Sequence, residues 1–321
     1  MKKIKVAILG SGNIGTDLLI KVMRSPYLEC GAFIGRNTTS PGMIKAKSLG
    51  VVTSGDSISY IEKNPSCCSI VFDATSATDH KKHAPILEKL GKVVIDLTPA
   101  EVGEMCVPAV NLEECLGLAN LNMVTCGGQA SIPMAYALGK THSDIDYIEV
   151  ISSIASKSAG PATRRNLDEY IHTTEKALKN FSGARRTKAI LNLNPAIPCV
   201  NMQTTLLAKV ANPDVKKFTE AFHEIALKIQ KYVPGYEILV PPVVENGRIV
   251  AMVRVKGLGD YLPAYAGNLD IINCAAIAMA DEYAKTLLRA PESQINSSEA
   301  SPSSTKGKTD AYNSNQRSHT S

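Results

Sequence analysis

Hydrophobic and polar positions follow two different rhythms along this chain. In the first half, short apolar or alternating runs at residues 5–9, 30–34, 70–74 and 93–97 are separated by helical stretches, the first over about 14–24. Strand-like runs alternating with helices predict βαβ units, and hence a parallel sheet with helices on its faces. From residue 145 the pattern changes. Residues 147–154 alternate, and residues 166–180 and 214–232 carry an amphipathic helical period. Further strands are predicted at 236–240 and 248–255, joined at Asn246 and Gly247, a dipeptide suited to a tight hairpin. The apolar stretch 268–288 reads as a helix that packs back on the first half. Beyond Ala290 large apolar residues nearly vanish among Ser, Thr, Asn, Lys and Gln, the composition of a disordered tail. No internal repeat is evident.

Composition narrows the function. The 321 residues are 44% apolar, enough for two ordinary cores. The net charge of +5 is spread over scattered Lys and Arg rather than runs, which argues against nucleic acid as a partner. No apolar run reaches membrane-span length, and the opening stretch is too short and too soon broken by glycine for a secretory signal. The eight cysteines form one vicinal pair, Cys67 and Cys68, and no CxxC pair, so neither zinc nor a disulfide scaffold is indicated and a reducing cytoplasm fits best. His80 and His83, three apart on a predicted helix, read as solvated side chains rather than metal ligands; no metal site is expected. His142, His172 and His223 stand alone, and the sequence names none of them as a base.

Gly10, Gly12 and Gly15 form GxGxxG directly after an apolar run and at the mouth of a helix. In that context Gly10 allows a tight turn, Gly12 lets backbone approach a pyrophosphate, and Gly15 permits close helix–strand packing, while the helix N-terminus attracts the phosphates. A Rossmann-type, doubly wound sheet binding a dinucleotide is the expectation. The second strand lacks the acidic residue that would bind the ribose 2′-hydroxyl of NAD; it is followed by Gly35, Arg36, Asn37 and Thr38. Arg36 is therefore a candidate for the 2′-phosphate of NADP, with an exposed loop arginine as the alternative reading.

The second chemical signal is Cys126, where a strand-like run stops and a helix begins at Gly127 and Gly128. A thiol at a helix N-terminus has its thiolate stabilised, and the N–H groups of Gly127, Gly128 and Gln129 are candidates to hold an oxyanion. Such a cysteine suits aldehyde oxidation: sulfur adds to the carbonyl, hydride leaves to nicotinamide, and a thioester remains for transfer. The bland reading, a small apolar core residue, is assigned to Cys30, Cys106, Cys115, Cys199 and Cys274.

Together the segments AILGSGNIGTDLLIKV, VFDATSATDH, VIDLTPAEVG, VPAVNLEE, NMVTCGGQASIPM, SSIASKSAGPATRRNLDEY, YVPGYE and DYLPAYAGNLDI resemble those of acylating acetaldehyde dehydrogenases, which use NAD and coenzyme A as co-substrates. The resemblance covers about residues 5–288. It implies that Cys126 carries the acyl thioester and that Ser11, Gly12, Asn13 and Ile14 form the cofactor loop. It further implies cofactor contacts from Ser158, Ala159, Gly160, Pro161, Ala162, Thr163, Arg164, Arg165, Asn166 and Asn268. Read from the residues alone, Ser158 to Pro161 are equally a small-residue loop before a helix, and Asn268 a residue like an N-cap. Where the family pattern has an Arg-Asp pair after a methionine, the aspartate near the cysteine, this chain has Gln203 and Thr204. The resemblance also implies a homodimer and docking on a hydroxy-oxo-acid aldolase. The expected layout is an α/β chain with an NAD(P)-binding Rossmann domain at 1–126 and an α+β, semialdehyde-dehydrogenase-like catalytic and dimerisation domain at 127–267. A helix at 268–289 packs on the first domain, and 290–321 is the tail. The expected activity is CoA-acylating oxidation of a short aldehyde. The alternatives are a phosphorylating semialdehyde dehydrogenase and a weakly active NAD(P)-binding partner of an aldolase.

Overall fold

Strand β1 (Ile4–Leu9) is apolar at every position from Val6 onward, because both of its faces are covered: Val6 and Ile8 point into one core, Ala7 and Leu9 into another. That is the signature of a central parallel strand. The computed structural model describes residues 2–289, so the expected tail at 290–321 lies outside the described residues. After β1 come α1 (Asn13–Arg24), β2 (Leu28–Ile34), α2 (Pro41–Ser48), β3 (Thr53–Ser54), α3 (Ser59–Lys63), β4 (Ile70–Asp73) and α4 (Ala77–Lys89). Next are β5 (Val93–Asp96), β6 (Glu104–Met105), α5 (Pro108–Cys115) and β7 (Asn120–Asn122). Among the described residues these strands form one seven-stranded sheet in the order β3-β2-β1-β4-β5-β7-β6, every pair parallel. The chain winds outward from β1 in both directions, so a crevice opens at the C-terminal ends of β1 and β4, where open α/β sheets bind ligands.

The remainder comprises α6 (Cys126–Thr141), β8 (Ile145–Ala155), α7 (Pro161–Arg165), α8 (Leu167–Ser182), β9 (Arg186–Asn194), β10 (Met202–Val210), α9 (Val215–Gln230), β11 (Tyr236–Glu245), β12 (Arg248–Val255) and α10 (Gly267–Arg289). A second, mixed sheet runs β11-β12-β10-β8-β9, with only β8 and β9 parallel. Helices α6, α8 and α9 cover one face of it; Phe218, Phe222, Tyr236 and Leu206 are fully buried there. Each such side chain contributes roughly 1.5–3 kcal/mol of burial.

Two sequence expectations need correction. The strand predicted at 236–240 runs on to Glu245 through Pro241 and Pro242, with register shifts on either side of Val240. It is the edge of its sheet, where a residue without an N–H is tolerated. Strands β9 and β10 were not anticipated from the pattern; β9 is largely exposed, and its polar positions mask the strand period. The hairpin did form as predicted, with Asn246 at φ 49 and Gly247 at φ 72, the two positive values of a type I′ turn.

Helix α10 lies between the two cores: Ala275, Ala276, Met279 and Ala280 pack on the first sheet, whereas Ile271 and Cys274 face the second. It is clamped to α1 by charge. Lys21 of α1 meets Asp17 at 3.1 Å, Asp260 at 2.9 Å and Asp270 of α10 at 2.7 Å. The three carboxylates are clustered closely enough to hold a cation, and the Lys21 ammonium already sits among them. Asn273 adds hydrogen bonds to Asp17 at 2.8 Å and to the Ile14 carbonyl at 3.2 Å, fixing the first turn of α1.

Candidate active site

Chain direction reverses four times at one end of the first sheet, and the four turns enclose a cavity of about 380 Å³. Its walls are Gly12, Asn13 and Ile14 after β1, Ala74 and Thr75 after β4, Leu97 to Pro99 after β5, and Val124 to Cys126 after β7. The α7 region adds Ser158, Gly160, Thr163, Arg165 and Asn166; Tyr170 of α8 and Leu269 and Ile272 of α10 complete it.

The glycine turn has the expected steric logic. Gly10 has φ +111, and a Cβ there would stand 2.4 Å from the Ala74 carbonyl oxygen; at Gly15 a Cβ would meet the Gly10 oxygen at 1.8 Å. Around Gly12, by contrast, there is open space, and α1 starts at Gly12 without any side-chain cap. Uncapped N–H groups facing a void at a helix start fit the pyrophosphate of a dinucleotide. Asn268 supports the same assignment: it is completely buried next to the cavity-lining Leu269, and neither side-chain polar atom has a partner. A buried carboxamide in that state calls for a polar group from outside the chain.

Cys126 reaches this cavity through a strained turn. Val124 has φ 60, a left-handed value that a β-branched residue adopts only under constraint, at a cost of about 1–3 kcal/mol. The constraint is Asn122: its Oδ1 accepts the Val124 N–H at 2.9 Å, while its Nδ2 donates to Asp96 at 2.8 Å and to the Thr98 carbonyl at 2.9 Å. Asp96 in turn accepts the Thr98 N–H at 2.8 Å. The network continues through His80, whose Nε2 lies 3.5 Å from Asp96 and whose Nδ1 lies 3.0 Å from Asp73, to His83 Nδ1, 2.8 Å from the same Asp73 oxygen. His80 and His83 are thus not the solvated side chains expected from sequence; both are buried on one carboxylate at the end of β4, reached together because they are three apart on α4. Burial would raise the Asp73 carboxyl, but the two imidazole bonds hold it well below the usual range. Burial pushes Asp96 up to about 7 despite the pull of His80.

At the start of α6, Thr125 is the N-cap: its Oγ1 accepts the Gly128 N–H at 2.8 Å, and its carbonyl accepts the Gln129 N–H at 2.8 Å. Those two donors, expected to hold an oxyanion, are therefore already used by the helix. The Gln129 side chain is buried and donates to the Cys106 and Met123 carbonyls, bracing the strand rather than facing the cavity. The N–H groups of Cys126 and Gly127 are the ones that turn toward the sulfur. Burial pushes the thiol up to about 11, outweighing those N–H groups and the Tyr170 hydroxyl, which pull it down. The helix-terminal stabilisation expected from sequence is present but outmatched by desolvation.

Sequence reasoning missed Tyr170 entirely. Its hydroxyl is 4.0 Å from Cys126 Sγ and hydrogen-bonded to Ser152, whose Oγ is 3.0 Å from Thr204 Oγ1. Thr204 is fully buried behind Ser152. Nothing in the amphipathic pattern of α8 separated Tyr170 from its other inward-facing positions.

Other predicted residues lie away from the cavity wall. Arg36 is 76% exposed and 3.7 Å from Asp79. Ser11 accepts a hydrogen bond from Ser40. Arg164 donates to the Ser156 and Ala159 carbonyls, pinning the loop instead of lining the cavity. Ala159 is buried, and Pro161 and Ala162 open α7.

Comparison with known proteins agrees with this geometry. Residues 5–117 match the family described as semialdehyde dehydrogenase, NAD binding domain, and residues 126–263 match that described as prokaryotic acetaldehyde dehydrogenase, dimerisation. An acetaldehyde dehydrogenase of Spirochaeta aurantia is 64% identical over 284 residues, spanning 88% of this chain and 96% of that protein. The acetaldehyde dehydrogenase of Pectobacterium atrosepticum is 58% identical over 87% of this chain and 95% of its own length. That of Carboxydothermus hydrogenoformans is 52% identical, covering 89% and 95%. Among solved structures, an aspartate semialdehyde dehydrogenase with NADP from Candida albicans superposes with a TM-score of 0.63 at 14% identity, covering 87% of this chain and all of that one, a likeness of fold.

Proposed function

The chain belongs to the acetaldehyde dehydrogenase family, and from that premise we propose that it forms acyl-CoA from a short aldehyde through a thioester on Cys126. It is an oxidoreductase acting on aldehydes, with NAD or NADP as cofactor. The observation that carries the proposal is that Cys126 and the uncapped start of α1 open into the same cavity.

In this reading Cys126 Sγ adds to the aldehyde carbon, and the carbonyl oxygen turns to the N–H groups of Cys126 and Gly127. When bound, the nicotinamide dinucleotide supplies the hydride acceptor. Gly12, Asn13 and Ile14 would hold its phosphates, and Ser158, Gly160 and Thr163, which line the cavity, with the buried Asn268 beside it, would supply further contacts. The apolar walls at Ile14, Leu97, Val124, Leu269 and Ile272 keep water from the thioester, so that the thiol of coenzyme A takes the acyl group.

Incubating the enzyme with an aldehyde panel and either cofactor, without CoA, is expected to leave an acyl mass on the Cys126 peptide that CoA then removes. Absence of any adduct overturns the proposal, and release by phosphate but not CoA points to the phosphorylating chemistry instead.

The open face of the second sheet supports homodimer formation. Hydrogen-bonding register places Ile190, Ile151, Thr205, Met252 and Val240 in one row across all five strands, on the side away from the helices. A row that is apolar but for Thr205 and only half-buried in the monomer, Ile190 being the exposed member, fits a second copy of the same face. The eight cysteines are all free thiols, which supports a reducing, cytoplasmic location. Docking on an aldolase belongs to the same reading and is tested by co-migration with a hydroxy-oxo-acid aldolase in size-exclusion chromatography.

A further inference from the structure

Among the described residues lining the cavity there is no carboxylate, imidazole or lysine; the groups able to handle a proton are hydroxyls and Arg165. Yet the thiol of Cys126 lies in a site that keeps it protonated, with burial pushing it up to about 11. Addition of a thiol to a carbonyl must move that proton to the new oxygen. The hydroxyl in contact with sulfur is that of Tyr170, 4.0 Å away.

Its placement is built with care on three sides. Thr174 Oγ1 donates to the Tyr170 carbonyl at 2.7 Å and lies 2.8 Å from the Thr125 hydroxyl, tying α8 to the cap of α6. Ser152, itself 3.0 Å from Thr204, bonds the Tyr170 hydroxyl from behind. Gly127 leaves room beneath: a Cβ there would stand 1.9 Å from the Tyr170 hydroxyl oxygen and 3.1 Å from Ser152 Oγ. Residue 127 is open to this approach only because it carries no side chain.

We propose that Tyr170 is the proton-transfer residue for addition of Cys126 to the aldehyde, with Ser152 and Thr204 as positioning residues that orient its hydroxyl. As the S–C bond forms and the C=O π bond breaks, the thiol proton passes to the Tyr170 oxygen and the tyrosine's own proton passes to the former carbonyl oxygen. A hemithioacetal results, tyrosine is regenerated, and no net charge appears in the dry cavity. Burial and the adjacent sulfur hold the tyrosine well above its ordinary range, so it works as a neutral shuttle rather than a phenolate base.

The inference rests on the acyl-thioester reading, and its test separates the two. Acyl-enzyme formation is followed by quenched mass spectrometry in wild type and in Tyr170→Phe, and alkylation of Cys126 by iodoacetamide is followed against pH without cofactor. Wild type that forms no acyl-cysteine removes the underlying reading. Given acylation in wild type, Tyr170→Phe is expected to slow it by about 100-fold or more, the usual worth of a positioned proton-transfer group. It is also expected to shift the alkylation midpoint to higher pH, because a hydroxyl that stabilised the thiolate is gone. CoA-dependent release from acyl-enzyme already formed should change far less, which a general loss of packing would not produce. Ser152→Ala, which keeps the ring, is the second variant: it should give the same upward shift of the midpoint with a smaller slowing. Acylation within threefold of wild type in Tyr170→Phe, or an unmoved midpoint in both variants, overturns the proposal.

Discussion

Side chains decide the chemistry here through what surrounds them. Asp96 shows this most directly. In the unfolded chain an aspartate loses its proton near pH 4, but in the fold burial holds Asp96 up to about 7. Between those values the folded state binds the extra proton, so stability attributable to Asp96 is full below about pH 4 and declines as pH rises to about 7. The melting-temperature advantage of wild type over Asp96→Asn is therefore expected to shrink across that window; an advantage that grows with pH would contradict the assignment. Arg36 poses a question of specificity. It follows β2 where a ribose-binding acid would stand, exposed and only loosely paired with Asp79. Arg36→Ala is expected to raise the KM for NADP about tenfold, the worth of a charged hydrogen bond at about 1.5 kcal/mol, with little change for NAD. Equal effects on both cofactors would assign Arg36 to the surface alone. Cys126 was legible because Gly127 and Gly128 follow it where a strand-like run gives way to a helix; Tyr170 was not, because its partner is 44 residues away and only the packing of α8 on α6 joins them.

Elements position the site by being tied at their ends. The glycine turn leads into the first turn of α1, and Lys21 and Asn273 fasten this helix to α10 across 249 and 259 residues of chain. Removing the cation would leave Asp17, Asp260 and Asp270 crowded together with little solvent. Lys21→Met is expected to destabilise the enzyme by about 3–5 kcal/mol, the cost of breaking a buried ion network on one side. Chemical denaturation should show that loss at neutral pH and a partial recovery in mild acid, where the carboxylates accept protons. A loss under 1 kcal/mol would make the cluster a surface feature. The parallel strands were readable as apolar runs because both faces are covered, whereas β9 and the Pro-containing end of β11 were not, because edge position overrides local propensity.

For the molecule as a whole, the second sheet has a helical face and an open one. If two copies pair through the open face, a charge at its centre should separate them, because burying it opposite another hydrophobic row is unfavourable. Ile151→Lys is expected to convert the dimer to a monomer in analytical ultracentrifugation while leaving the Cys126 thioester chemistry in place, since Ile151 points away from the helices that carry the site. An unchanged sedimentation coefficient would move the interface elsewhere.

By itself the sequence determined the α/β alternation, the glycine turn, the Asn246–Gly247 hairpin and the cysteine at the start of a glycine-led helix, all of them local: each depends on residues within one turn or one strand of each other. Only the tertiary structure decided which donors face the sulfur, that His80 and His83 share a buried carboxylate, that Asn122 holds Val124 in a left-handed turn, and that Tyr170 reaches the thiol over Gly127. Those facts arise from desolvation and from contacts between segments far apart in the chain, and neither quantity exists until the two cores have closed around the cavity.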